Sequence, residues 1–215
     1  MMNETQLRQE IVAVAQAIDR AGFCPSKSGN VSARFGEGLL ITPSGLLYAQ
    51  TKPEDLIHLA LDGTVLGGAR KPSSEWPFHV EIYKARPDAQ AIVHTHSPRA
   101  TALSSTRRGI PAFHYMIALC GGADVRCADY ATFGTPELAA NAVKGLEGRK
   151  AVLLANHGVI ALGQTLAGAH TIVAEVENLA GQYLDILAAG IEPVILDEEE
   201  MALVGAKFAG YGKVG

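Results

Sequence analysis

An α/β domain is the fold this sequence predicts, on three observations. Residues 7–18 and 165–189 carry apolar side chains three or four apart, the spacing of amphipathic helices. Apolar runs at residues 39–42, 56–61, 91–93, 151–155 and 159–162 have the length of strands and are too short for helices. The 23 glycines fall in small clusters between these runs, where turns need them. With 48% hydrophobic residues in 215, the chain can bury a sizeable core, and one domain over residues 1–215 is expected.

Composition narrows the function classes. A net charge of −4 with scattered Lys and Arg lacks the basic footprint of a nucleic-acid binder, so an anionic ligand must be held locally. No run of 18 apolar residues occurs, and the N-terminus (Asn3, Glu4, Gln6, Arg8) is polar where a signal peptide is apolar. A cytoplasmic protein without membrane contact is expected. Cys24, Cys120 and Cys127 are an odd set with no C-x-x-C pair, which suits neither a disulfide framework nor a thiolate metal site.

Taken in order, Leu7, Ile11, Val14 and Ile18 mark an opening helix that Gly22 ends. Ser28-Gly29-Asn30-Val31-Ser32 reads as a turn, residues 39–42 as a short strand, and Thr42-Pro43-Ser44-Gly45 as a second turn. Hydroxyls, an amide and freed backbone N–H groups in two such turns can surround a phosphate without Lys or Arg. Residues 56–61 form a strand closed by Asp62-Gly63, a hairpin signal. His58 there reads as a structural histidine. Phe78, Ile82 and Tyr83 give the next helix, with Ser74 or a neighbour as cap and Pro77 in the first turn. Two serines at a helix start can be capping alone or an anion site, and Glu75 there could reach a metal or move a proton. His79 and Glu81 are expected on the helix surface.

Ala91-Ile92-Val93 then leads into His94-Thr95-His96, which Pro98 ends. Histidines two apart on a strand point to one face, so they either form a polar rim or close on one metal ion. Residues 99–103 suggest a helix. His114 and Tyr115 are polar tips in the apolar stretch 111–118, and Tyr115 reads by default as a core or interface residue. Thr135 caps a helix starting near Pro136. Residues 151–155 and 159–162 form a hairpin with His157 at its tip. A third imidazole beside His94 and His96 would complete the ligand set of a catalytic zinc, leaving a fourth position for Glu75, water or substrate. Gly190 ends the long helix over residues 165–189, whose His170, Glu175 and Glu177 are expected at the surface or in helix contacts. Asp197 and three glutamates open a last helix.

Gly29-Asn30-Val31-Ser32, Thr42-Pro43-Ser44-Gly45, Ser73-Ser74-Glu75-Trp76, His94-Thr95-His96, His114-Tyr115, Ala131-Thr132-Phe133-Gly134 and Asn156-His157-Gly158 together resemble the zinc-dependent class II aldolase and adducin head-domain family. The resemblance runs from the first helix to Tyr211. It implies a three-layer α/β/α domain around a largely antiparallel sheet, assembled as a cyclic homotetramer with active sites at subunit interfaces. By the same resemblance His94, His96 and His157 are zinc ligands, and Glu75 is an acid/base carboxylate that also ligates zinc. Gly29, Asn30, Ser44, Gly45, Ser73 and Ser74 match a phosphate pocket. Tyr115 matches a proton donor reaching a neighbouring subunit's site, and Phe133 and Tyr211 match residues near the aldehyde.

The implied reaction is reversible cleavage of a ketose 1-phosphate, such as L-fuculose 1-phosphate, to dihydroxyacetone phosphate and an aldehyde such as L-lactaldehyde. No lysine stands out as a Schiff-base nucleophile. Ser44 stands where the aldolase pattern commonly has Thr, Asn156 where it commonly has His, and residues 97–100 differ, departures that bear on the aldehyde. Alternatives on the same scaffold are deoxyribulose- or methylthioribulose-phosphate aldolases, dehydratases, decarboxylases, and 4-epimerases, whose pattern carries Asp at the position of Glu75. An adducin-like binding module without catalysis is the alternative from another class.

Overall fold

The computed structural model describes residues 3–210. Six α-helices and eight strands follow in the order α1 (Glu4–Arg20), β1 (Asn30–Phe35), β2 (Gly38–Ile41), β3 (Ile57–Ala60), β4 (Val65–Gly67), α2 (Trp76–Ala85), β5 (Ala91–Thr95), α3 (Pro98–Ser104), β6 (Arg126–Ala128), α4 (Pro136–Gly145), β7 (Ala151–Leu154), β8 (Gly158–Gly163), α5 (Leu166–Ala188) and α6 (Glu198–Gly210). Local chemistry sets the helix starts. Asn3 Oδ1 accepts the Gln6 N–H at 2.9 Å while Gln6 Oε1 accepts the Asn3 N–H at 3.2 Å, a capping box that opens α1. Thr135 and Thr165 cap α4 and α5 through their hydroxyls, and Asp197 accepts from the Glu200 N–H at 2.8 Å.

The strands form one sheet in the order β4-β3-β2-β1-β5-β8-β7-β6. Only the β6–β7 neighbours run parallel, so the largely antiparallel three-layer arrangement is what the structure shows. Strand alternation sorts the core into two layers. Val31, Ala33, Val93, Leu153, Val159 and Ala161 pack under α1, α3 and α5, with Ile11, Ile18, Leu103, Val173 and Val176. Leu39, Ile41, Ile92, Val152, Leu154, Ile160 and Leu162 pack under α2 and α4, with Phe78, Ile82, Leu138 and Ala142. Glu177 of α5 accepts the Arg99 and Ala100 N–H groups at 2.8 Å each, tying α5 to the first turn of α3.

Two expectations need correction, and a third is made definite. The turn assigned to residues 28–32 ends at Gly29, and Asn30 and Ser32 are buried strand residues, because α2 supplies polar partners for both. Of Ser74 and its neighbours, the residue that starts α2 is the neighbour. Glu75 stands at the cap position, with its N–H on Ser73 Oγ at 3.3 Å. His79 is fully buried, not on the surface.

Candidate metal centre

Four segments bring their ends together at one end of the central strands β1, β5 and β8. Asn30 pairs with His94 across β1 and β5, and Thr95 pairs with Val159 across β5 and β8. The start of β1, the end of β5 and the β7–β8 turn carrying His157 are therefore side by side. Glu75 enters from the start of α2, because the turn before that helix is stitched to the turn after β2. Ser73 N–H donates to Thr42 O at 3.1 Å and Ser44 N–H to Lys71 O at 3.0 Å. This stitch also sets the two hydroxyl-bearing turns beside each other.

The geometry at the meeting point is tight. His94 Nε2 lies 3.2 Å from Glu75 Oε2 and 3.0 Å from His96 Nε2, and His157 Nε2 lies 3.0 Å from Glu75 Oε1. One ligand atom from each of the four lies within 4.8 Å of every other. Two ligands on one tetrahedral zinc stand about 3.4 Å apart, given bond lengths near 2.1 Å, so the donor set has the dimensions of a single ion's shell. His94 Nδ1 donates to the Val159 carbonyl at 2.9 Å, which leaves its Nε2 lone pair facing the cluster. Glu75 Oε1 is buried and has no hydrogen bond despite its closeness to His157, an orphaned acceptor that a cation would satisfy.

Electrostatics favour the ligand forms. Burial pushes the Glu75 carboxyl upward, but His94 and His157 beside it more than offset this and hold it below the usual carboxylate range. His96 is pushed down to about 3 by burial, with His94 and His157 adding, so its ring is neutral near pH 7. The residues present fit a divalent cation.

Behind Glu75 runs a polar chain whose roles are fixed by the carboxylate at its end. Asn30 Nδ2 donates to Glu75 Oε2 at 2.9 Å and to Ser73 Oγ at 3.0 Å, so both amide hydrogens are committed. Asn30 Oδ1 therefore faces His79 Nε2 and accepts its proton, and His79 Nδ1 accepts from Ser32 Oγ at 2.7 Å. Tyr83 Oη reaches the same Ser32 oxygen at 3.0 Å. Sequence reasoning missed His79, although its place one helical turn after Glu75 puts both on one face of α2.

A cleft of about 310 Å³ opens over the cluster, lined by Gly29, Asn30, Ser44, Gly45, Ser73, Ser74, Glu75, His96, Phe133 and His157 among the residues singled out from sequence. His94 sits beneath, fully buried. Lys27, Ser28, Pro43, Tyr130, Ala131 and Asn156 complete the wall; Ser28 and Pro43 belong to the two turns expected around a phosphate, whereas Lys27 and Tyr130 have no role in the sequence reading. Tyr115 is not part of this wall. It is half exposed, stacked on His114 at 4.9 Å between ring centres. Tyr211 lies outside the described residues. Among the described residues no helix is long and apolar enough to cross a membrane.

The family described as Class II Aldolase and Adducin N-terminal domain matches residues 9–184. The chain is 49% identical over 206 residues to the 5-methylthioribulose-1-phosphate/5-deoxyribulose-1-phosphate aldolase of Rhodospirillum rubrum, covering 96% of this chain and 92% of that one. It is 42% identical to the L-fuculose phosphate aldolase of Escherichia coli K12, covering 98% of each. A solved L-fuculose 1-phosphate aldolase superposes with a TM-score of 0.93 at 43% identity, over 97% of this chain and 98% of that one.

Proposed function

The chain belongs to the class II aldolase and adducin family, and on that basis we propose that it is a metal-dependent aldolase reversibly cleaving a ketose 1-phosphate to dihydroxyacetone phosphate and an aldehyde. The observation that carries the proposal is the convergence of Glu75, His94, His96 and His157 beneath a cleft rimmed by two hydroxyl-bearing turns. His94, His96 and His157 would hold the ion, zinc in this reading, with Glu75 as a fourth ligand at rest. Bound there, the ion supplies a Lewis acid at the C2 carbonyl, where negative charge develops as the C3–C4 bond breaks.

The chain's own groups do the rest. Glu75 takes the C3 proton in the synthetic direction. Its Oε2 is held by the Asn30 amide, which leaves Oε1 as the oxygen free to act. The phosphate is taken by Gly29, Ser44, Gly45, Ser73 and Ser74. Ser73 Oγ already accepts from Asn30 and from the Glu75 N–H, so its own hydrogen is left to donate, and Asn30 acts by orienting Ser73 and Glu75. Tyr115 from a neighbouring subunit of a cytoplasmic homotetramer protonates the aldehyde oxygen. Its position outside its own chain's cleft supports that reading. Phe133 and Tyr211 flank the aldehyde.

L-Fuculose 1-phosphate, releasing L-lactaldehyde, is the first substrate proposed. A second reading, 5-deoxyribulose 1-phosphate or its methylthio analogue, is favoured by the 49% identity to an enzyme named for both. All three share the dihydroxyacetone phosphate half and differ in the aldehyde. The test is a panel of these ketose 1-phosphates with released dihydroxyacetone phosphate as readout. Product that disappears on chelation supports the proposal, and no product from any member overturns it.

A further inference from the structure

We propose that Lys27 recognises the phosphate dianion and sets this site's preference for phosphorylated over uncharged sugars, an inference that rests on the function proposed above. The two turns were expected to hold a phosphate without Lys or Arg, yet Lys27 lines the cleft and is the sole Lys or Arg among its described lining residues. Glu75 is the one acidic group there, and the chain's net charge of −4 gives no general attraction for an anion. A dianionic head group entering this cleft meets one cation of the protein, and it is Lys27.

The main chain that carries Lys27 is held firmly beside the cleft. Ser26 and Lys27 both have positive φ, 56° and 69°, two consecutive residues other than glycine in the left-handed region. Single residues of this kind are uncommon, and strain of this sort persists only where the surroundings over-determine it. Here they do. Ser28 N–H donates to Pro25 O at 3.1 Å, His96 N–H to Phe23 O at 3.0 Å, and Tyr48 Oη to Gly29 O at 2.6 Å. At Gly29 a Cβ would stand 2.7 Å from the His94 carbonyl, so the strap lies hard against β5. Lys27 cannot swing away with its backbone without disturbing the strand that carries His94.

A second, independent sign lies next door. Ser28 Oγ is buried and without a hydrogen-bond partner, and Ser28 also lines the cleft. An unpartnered hydroxyl beside a lone ammonium is a donor pair lacking its acceptor.

The test compares Lys27→Asn and Lys27→Arg with the wild-type, metal-loaded enzyme. Asn adopts the left-handed region readily, so the neutral variant keeps the backbone, while Arg keeps the charge. Inorganic phosphate is titrated by calorimetry at low and high salt, and kcat and KM are measured for a ketose 1-phosphate and its unphosphorylated ketose. Lys27→Asn is expected to weaken phosphate binding about ten- to hundredfold and flatten its salt dependence. KM for the phosphorylated sugar rises by the same factor with kcat little changed, the unphosphorylated ketose is handled as before, and Lys27→Arg retains most of the affinity. Unchanged phosphate affinity in Lys27→Asn, equal losses for both sugars, or no phosphate binding by the wild type overturns the assignment. Lys27-dependent phosphate binding without cleavage of any ketose 1-phosphate would instead remove the aldolase reading and leave Lys27 in place.

Discussion

Replacing His79 by Leu removes the middle of the polar chain behind Glu75 while keeping an apolar group of similar size between Phe78 and Asn30. Asn30 Oδ1 loses its only donor, and Ser32 Oγ keeps only Tyr83 at 3.0 Å. One orphaned buried acceptor and one half-satisfied hydroxyl together cost roughly 3 kcal/mol at pH 7.5. The cost should depend on pH in a defined direction. Burial, with His94 adding and Glu75 opposing, pushes His79 down to about 3 in the folded protein, against about 6.5 in the unfolded chain. Between those values the unfolded chain binds the extra proton, so this group's contribution is fully present above about pH 6.5 and is lost toward pH 3. At about 1.4 kcal/mol per pH unit, the wild type gives up roughly 2 kcal/mol from this group by pH 5. The Leu variant has no such term. His96 titrates in both proteins and cancels in the difference. The gap between the two should therefore shrink from roughly 3 to roughly 1 kcal/mol. Urea unfolding at pH 7.5 and pH 5, with chelator and at one protein concentration, reads both numbers. A variant as stable as wild type at pH 7.5, or a gap that does not narrow on acidification, refutes the reasoning.

Other perturbations separate the remaining roles. Glu75→Gln keeps the three imidazoles, so it should retain stoichiometric metal while kcat falls about 10²- to 10⁴-fold, as loss of a general base does; turnover at the wild-type rate would contradict the assigned proton transfer. Mixing Tyr115→Phe with Glu75→Gln protein should restore activity that neither shows alone, through hybrid oligomers with one intact site. No recovery after subunit exchange has been demonstrated by mass spectrometry would count against Tyr115 acting across an interface.

Much of the fold is legible in the sequence because apolar runs and caps are local signals. The opening helix, the β7–β8 hairpin with His157 at its tip, the Thr135 cap and the long helix ending before Gly190 all lie where spacing puts them. β4 and β6 escape because three residues carry too little pattern to read. Asn30 and Ser32 look like turn residues because their types favour turns, and only partners 43 to 51 positions away make them tolerable in a buried strand. His79 reads as a surface residue for the same reason: a polar side chain on a helix is buried only when partners from other elements satisfy it, and those partners are on β1. Spacing makes His94 and His96 a candidate pair, whereas their meeting with Glu75 and His157 follows from how the end of β5, the turn before β8 and the start of α2 come together. Lys27 escapes because the turn it precedes, residues 28–32, reads as able to hold a phosphate with hydroxyls and backbone N–H groups and no cation.

The most direct test of four side chains converging on one ion is zinc uptake by chelator-treated protein, followed by X-ray absorption. One tightly bound zinc per chain is expected, with imidazole nitrogens and a light-atom oxygen at about 2.0–2.1 Å, and tight binding is lost in His157→Ala. Wild-type protein that binds zinc no more tightly than His157→Ala, or a bound zinc whose spectrum lacks imidazole, would contradict it.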